Sequence, residues 1–288
     1  MVIGAWRWGA AMAVGAMALS APARDAAGEP SHHTGSNPGQ VSPAGMDSLA
    51  KPRRDRWDVR TLAAFLTADR MFDDAGERAP LAAAGGIQGY SLTAYVEYQV
   101  ATRWALSAST GGQLLLIDGM TGVTGGDTVW SLTDSYVAGR FTHPVRWGSA
   151  SLIASVKIPG TYPESEATGT KQLDQETKVV LAVHELGSPR VSIVVGAGYK
   201  LRLGGIKDEI TPSIVVPVRV TAAWTATASL MGGIAVGHGL AKDTLAPGLN
   251  VAFRVRSGMA VWAAYFRTVY GHNVVDATIA QAGFALSF

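Results

Sequence analysis

His184, Ser149, Ser151 and Ser192 are the side chains of this chain whose types could make a hydrolytic nucleophile and its base. A serine becomes a nucleophile when a histidine within hydrogen-bond reach takes its proton. His184 is the one histidine inside a strand-like run, and the serines fall on neighbouring runs. No Gly-x-Ser-x-Gly elbow accompanies them, and serine is common on polar strand faces, so no catalytic residue is assigned. Glu164, Glu166 and Asp174 lie in or beside one long connector with no histidine near, and read as solvated loop charge. His32 and His33 are adjacent but have no third ligand close by, so a metal is not expected. The chain has no cysteine, which removes disulfides, thiolate metal sites and a thiol nucleophile. Thr110-Gly111-Gly112 and Met231-Gly232-Gly233 sit within strand-like runs, where glycine marks bends and close packing rather than a phosphate cradle. The expectation is a protein that is not an enzyme and carries no cofactor or metal.

The elements around these residues alternate with a period of two, the signature of strands. Tyr90, Leu92, Ala94, Val96, Tyr98 and Val100 share one face of their run; Ser91, Thr93, Tyr95, Glu97 and Gln99 share the other. Twelve strands are predicted, at 58–70, 88–100, 103–117, 130–142, 147–158, 173–186, 190–203, 208–220, 223–236, 245–256, 258–270 and 275–288. Connectors after even strands are short, such as Ala101-Thr102, Gly187-Ser188-Pro189 and Ser257; those after odd strands are mostly longer, such as 71–87, 118–129 and 159–172. Short turns at one end and long loops at the other are the pattern of outer-membrane barrels. Pro212 and Pro217 interrupt the eighth strand, because proline cannot donate to a ladder, and predict a bulge there. The fold class expected is all-β: a transmembrane antiparallel β-barrel of about twelve strands, over 57–288.

Hydrophobic residues are 48% of the 288 and charged residues 16%, yet beyond the N-terminus no apolar run reaches the ~20 residues of a spanning helix. A net charge of +2, without a basic cluster interleaved with aromatics, argues against nucleic acid as a partner. The chain ends on an alternating strand, with Phe284, Leu286 and Phe288 on its apolar face. An open edge of that kind invites aggregation in a soluble protein, whereas a barrel uses it to close on strand one. Phe284, Leu286 and Phe288 are therefore read as the assembly signal, and lipids and the barrel assembly machinery as partners. Trp104, Phe141, Tyr98, Trp224, Phe253, Trp262 and Phe288 are expected on the outward face as interfacial girdles.

Residues 1–23 read as a signal peptide: Arg7, a short apolar core from Gly9 to Leu19, and Ala21-Pro22-Ala23 as the cleavage site. Residues 24–56 are rich in Pro, Gly and Ser without periodicity and read as a disordered periplasmic lead. The localisation expected is the outer membrane, through the secretory pathway.

With the apolar face outward, the lumen receives a polar cluster of Glu97, Arg103, Asp134, Arg140, Lys157, Lys178, Arg202 and Arg254. Lys200, Arg219, Arg256 and Arg267, with Glu176 and Glu209, follow by the same phase, and the balance tilts positive. A narrow lumen of that sign favours anionic solutes. The sealed alternative pairs Glu97 with Arg103 and Asp134 with Arg140.

The hairpin Y-V-E-Y-Q-V-A-T-R-W over 95–104 resembles the E-Y-x-(L/V)-x-(D/T)-R-(W/L) hairpin of the transporter, or meta-pathway phenol-degradation, family of outer-membrane barrels. Ser131 to Val137, Val156-Lys157-Ile158-Pro159-Gly160 and Gly196-Ala197-Gly198-Tyr199 are similar to three further motifs of that family, in order. The glycines that precede the family's aspartate are Ser131 and Thr133 here, and the threonine that follows the proline in the family pattern is absent after Pro159, where Gly160 comes next. The resemblance implies a barrel that admits small hydrophobic or aromatic compounds and carries over no catalytic residue. The expectation is a passive channel or uptake protein for small molecules, aromatic or anionic. The alternatives are a non-conducting structural or interaction barrel, then an outer-membrane lipid hydrolase, then a soluble secreted β-protein.

Overall fold

The computed structural model describes residues 57–80, 86–117, 127–161, 173–184, 190–203, 207–237, 243–272 and 274–288. The expected signal peptide and lead (1–56), with His32 and His33, lie outside the described residues, as do Glu164, Glu166 and the turn at 187–189.

In chain order the strands are β1 (Trp57–Ala68), β2 (Arg70–Phe72), β3 (Arg78–Pro80), β4 (Ile87–Ala101), β5 (Trp104–Ile117), β6 (Asp127–Leu132), β7 (Ser135–Val145), β8 (Gly148–Ile158) and β9 (Asp174–Val183). There follow β10 (Ile193–Arg202), β11 (Asp208–Ile210), β12 (Ser213–Arg219), β13 (Trp224–Val236), β14 (Thr244–Arg256), β15 (Met259–Arg267), β16 (Tyr270–Gly271), β17 (Val274–Val275) and β18 (Thr278–Ser287). Each barrel strand pairs antiparallel with its neighbour, and β18 pairs with β1, so the sheet closes on itself. With β6 continuing into β7 and β11 into β12, the closed barrel has twelve strands, the number read from the alternation.

The closure is where the terminal strand was expected to make it. β1 and β18 are in register from Asp58 with Ser287 to Thr67 with Thr278. Trp57 and Phe288 exchange backbone hydrogen bonds of 2.9 and 3.0 Å, so the last residue's backbone completes the seam.

Two strands are broken, for different reasons. β11 and β12 are split at Thr211-Pro212, where proline lacks the N–H a ladder needs; the register carries through the gap, with the Thr211 N–H still on the Gly198 carbonyl at 2.8 Å, so the expected bulge does not form, and Pro217 lies within an unbroken β12. β6 and β7 are split at Thr133-Asp134, where the pattern predicted one unbroken strand. There the Asp134 carboxylate accepts from the Gly160 N–H at 3.0 Å, so a charged side chain is turned in to hold a connector.

The outer face is apolar through its middle. Leu92, Leu106, Val137, Val179 and Leu249 are all at least half exposed, which costs little only against lipid. Trp57 with Tyr98, Trp104 with Phe141, and Trp224 with Phe253 form tilted ring pairs, centroids 4.6–5.0 Å apart, around the end that carries Trp57 and Phe288. Phe65 with Tyr90, 5.1 Å apart, lies toward the other end. Trp262 departs from the expected girdle. It faces inward and is 4% exposed, because β15 puts Trp262, Ala264 and Phe266 on its buried face. Aromatic residues alternate identically on either face, so their type alone does not choose.

Above the loop end, β17, β2 and β3 form a separate three-stranded sheet. Asp73 holds the β2–β3 turn by accepting from the backbone of Ala75 and Glu77. Phe72, Val274 and Val275 are buried beneath it. Asp276 pairs with Arg78 at 3.0 Å and with Arg267 at 3.6 Å.

Candidate functional site

The barrel interior is built from inward positions that alternate along each strand, and it divides into two walls. One wall, on β4 to β12 with the start of β1, carries the charges. The other, on β13, β14, β15, β18 and the rest of β1, is apolar or uncharged.

The charged wall has two networks. At the end bearing the termini, Arg60 is 1% exposed and holds both Asp58 carboxylate oxygens with one guanidinium edge, Nε at 2.6 Å and Nη2 at 2.9 Å. Asp58 and Arg60 are two apart and so share a face. Arg60 also lies 5.9 Å over the Tyr95 ring, and the Tyr95 hydroxyl donates to Glu97 at 2.9 Å. Arg140 reaches Glu97 from β7 at 3.1 Å, and donates to Thr142, whose hydroxyl meets Ser151 at 2.9 Å. Toward the loop end, Lys157 bridges Asp174 at 2.7 Å and Asp134 at 3.8 Å. Glu209 takes both Arg202, at 2.5 Å, and Lys200, at 3.1 Å. Glu176 accepts from Thr211 at 2.8 Å.

The expected cluster is thus partly assembled. Glu97 and Arg140 meet, Asp134 and Lys157 meet, and Lys178 and Arg202 are buried inside. The partners differ from the expected ones, since Glu97 takes Arg140 rather than Arg103, and Asp134 takes Lys157. Arg103 and Arg254 are exposed at the barrel end that carries the termini, Arg103 in the β4–β5 turn and Arg254 beside a bulge of β14. Arg256 is exposed at the same end, and Arg267 is exposed at the loop end. Phe284 and Leu286 lie on the outward face of β18, and the Phe288 ring is exposed.

Asp58, Arg60 and Asp174 were not placed in the lumen by pattern. Asp58-x-Arg60, with Leu62, continues one face of the first strand and could have shown it; Asp174 was read as loop charge because it stands at a strand edge. With them the interior charge balances: acids Asp58, Glu97, Asp134, Asp174, Glu176 and Glu209 face cations Arg60, Arg140, Lys157, Lys178, Lys200 and Arg202. The positive tilt instead sits at the end with the termini. There Arg103, Arg146, Arg190, Arg219, Arg254 and Arg256 are all exposed, and among the described residues no exposed acidic side chain stands with them.

The hydrolytic grouping is not formed. Ser149 Oγ and His184 Nε2 make no hydrogen bond, and Ser151 Oγ is engaged by Thr142. Among the described residues no three His, Asp or Glu side chains are placed to hold a metal ion. A small cavity lies inside the barrel against the charged wall, lined by Tyr95, Ser107, Ser109, Tyr136, Glu176 and Lys178 among others.

No family model and no curated protein matches the chain. Solved structures do. An outer-membrane channel from Pseudomonas putida F1 superposes with a TM-score of 0.71 at 10% identity, over 86% of this chain and 100% of that one. The KdgM porin, in complex with oligogalacturonate, gives 0.53 at 8% identity, over 80% and 99%. The translocator domain of the autotransporter NalP from Neisseria meningitidis gives 0.51 at 11% identity, over 85% and 92%. The likeness is one of architecture, and the chain has the fold of an outer-membrane β-barrel.

Proposed function

We propose that the chain is a passive uptake barrel for small molecules, working in the outer membrane without a catalytic step. The observation that carries this is the interior itself. A lipid-facing shell encloses a wall of charge and hydroxyls that runs from Asp58 and Arg140 at one end to Asp134 and Glu209 at the other. A barrel needing only to be stable would do as well with packed apolar residues, since burying ion pairs is seldom the more stable choice. The fold shared with the Pseudomonas putida channel supports the same reading. For anionic solutes the support is the arginine-rich end, which raises the local concentration of anions at the mouth. For aromatic solutes it is the uncharged wall bearing Trp262 and Phe266. Lipids and the barrel assembly machinery are the partners this reading requires, with Phe284, Leu286 and Phe288 as the assembly signal.

The second reading, a sealed structural barrel, is favoured by one observation: most of the interior charges are ion-paired with one another and almost wholly buried. Swelling of proteoliposomes in isotonic solutes separates the two. Uptake supports swelling above empty vesicles for small solutes, and a barrel that swells in none of them is the sealed one.

A further inference from the structure

The uncharged wall contains polar groups that nothing in the barrel satisfies. Gln281 is 4% exposed, and neither its amide nitrogen nor its amide oxygen has a hydrogen-bond partner. Thr227, 3% exposed, has an unpartnered hydroxyl, and the Asn250 amide oxygen is unpartnered too. The register makes these one site. Thr227 pairs with Asn250, Asn250 with Ala264, and Ala264 with Gln281, so the three polar side chains stand in a single row across β13, β14, β15 and β18. Asn250 and Gln281 flank Ala264, whose side chain is a single methyl. Adjacent strands are about 4.8 Å apart, so the two amides are separated by roughly 10 Å along the wall, the width of one six-membered ring with its substituents.

The next rows on β15 flank this row with aromatic rings. Trp262, one row nearer the termini, lies beside Gly283 of β18; Phe266, one row toward the loops, lies beside Gly248 of β14. A Cβ at Gly283 would overlap the indole, and a Cβ at Gly248 would overlap the phenyl ring. Each ring is therefore laid sideways over a glycine, and in the row between them Ala264, itself buried, presents only a methyl. Ile279 and Leu66 continue the upper row, and Leu62 the lower. None of these residues is titratable, so an ion gains nothing here while it loses its hydration.

We propose that Thr227, Asn250 and Gln281 form a binding site for an uncharged, polyhydroxylated ring of monosaccharide size, with Trp262 and Phe266 meeting its apolar faces. Gln281 supplies a donor and an acceptor, Asn250 an acceptor, and Thr227 either. Four such atoms need several hydroxyls on one small molecule, and a ring with none or one would leave most of them unpaired. This deepens the uptake reading and rests on it for its purpose, since the site would be a resting point on the way through.

The test is binding of D-glucose to the purified full-length barrel in detergent by saturation-transfer NMR, with D-glucuronate as the charged counterpart. Glucose binds the wild type, glucuronate binds at least tenfold more weakly, and Gln281→Leu lowers glucose affinity at least tenfold, the loss of one or two buried hydrogen bonds. Asn250→Leu serves the same end should Gln281→Leu not assemble, as shown by its heat-modifiable migration. No glucose signal, equal affinity in both variants, or tighter binding of glucuronate overturns the site and leaves the amides hydrated by water only. Proteoliposome swelling on the same preparation keeps the two readings apart. Swelling without glucose binding removes this site alone, and glucose binding without any swelling removes the uptake reading alone.

Discussion

Arg140→Met is the perturbation whose outcome the interior geometry determines most closely. Asp58 and Glu97 are register partners on β1 and β4 and face the same interior, so two carboxylates are held side by side. Arg60 neutralises the first and Arg140, 3.1 Å from Glu97, the second. At that distance the gross attraction is about 5 kcal/mol for an effective dielectric of ~20. Both partners are less than a tenth exposed, so solvent screening removes little of it. Arg140→Met keeps the unbranched apolar stem without the guanidinium and strands Glu97 beside Asp58, at a cost of about 3–5 kcal/mol. Adding Glu97→Gln removes the stranded charge, so the double variant loses only about 1 kcal/mol, leaving a coupling of at least ~2 kcal/mol. Urea unfolding in lipid vesicles, followed by tryptophan fluorescence for wild type, both single variants and the double, measures the cycle. Single costs that simply add, with coupling within ~0.5 kcal/mol of zero, would refute the clamp.

Other outcomes follow from particular contacts. Deleting Phe288 removes its two backbone hydrogen bonds to Trp57 and lowers the assembled, heat-modifiable fraction further than Phe288→Ala, which removes only the exposed ring; equal yields would contradict this. Gly283→Val drives a side chain into the Thr61 carbonyl and the Trp262 ring, and lowers stability by about 1–3 kcal/mol or prevents closure, read from the same unfolding curves. Asp276→Ala releases Arg78 and Arg267 and loosens the small sheet, so trypsin cleaves after Arg78 about fivefold faster, equivalent to the ~1 kcal/mol of a partly exposed pair; an unchanged rate would show that the sheet is held by Phe72 and Val274 alone.

The strands were legible because lipid outside and polar groups inside impose a strict period of two. That is why Tyr90 to Val100 and Ala277 to Phe288 could be assigned faces without coordinates. Proline's missing donor made the break at Pro212 legible as well. The break at Thr133-Asp134 was not, since it answers to the Gly160 backbone, 26 residues away in the chain. Partner choice was hidden for the same reason. Glu97 lies six residues from Arg103, but strand order and register bring Arg140 to it across β5. Phase also has no depth, so Arg103 and Arg254 share a face with buried residues and yet stand outside at the mouth. Trp262 failed on face rather than depth, because an indole suits a lipid interface and a barrel interior equally. The row of Thr227, Asn250 and Gln281 was invisible for lack of register, since these residues come from three strands spread over 55 positions.

Single-channel recording in a planar bilayer, with reversal potential measured across a potassium chloride gradient, decides whether the barrel is an open path for small anions. An open barrel gives discrete conductance steps and a reversal potential displaced toward that of chloride, drawn by the arginine-rich mouth, with the displacement reduced when Arg219 and Arg254 are both changed to glutamine. Membranes that take up the folded barrel and show no conductance at any voltage would contradict it.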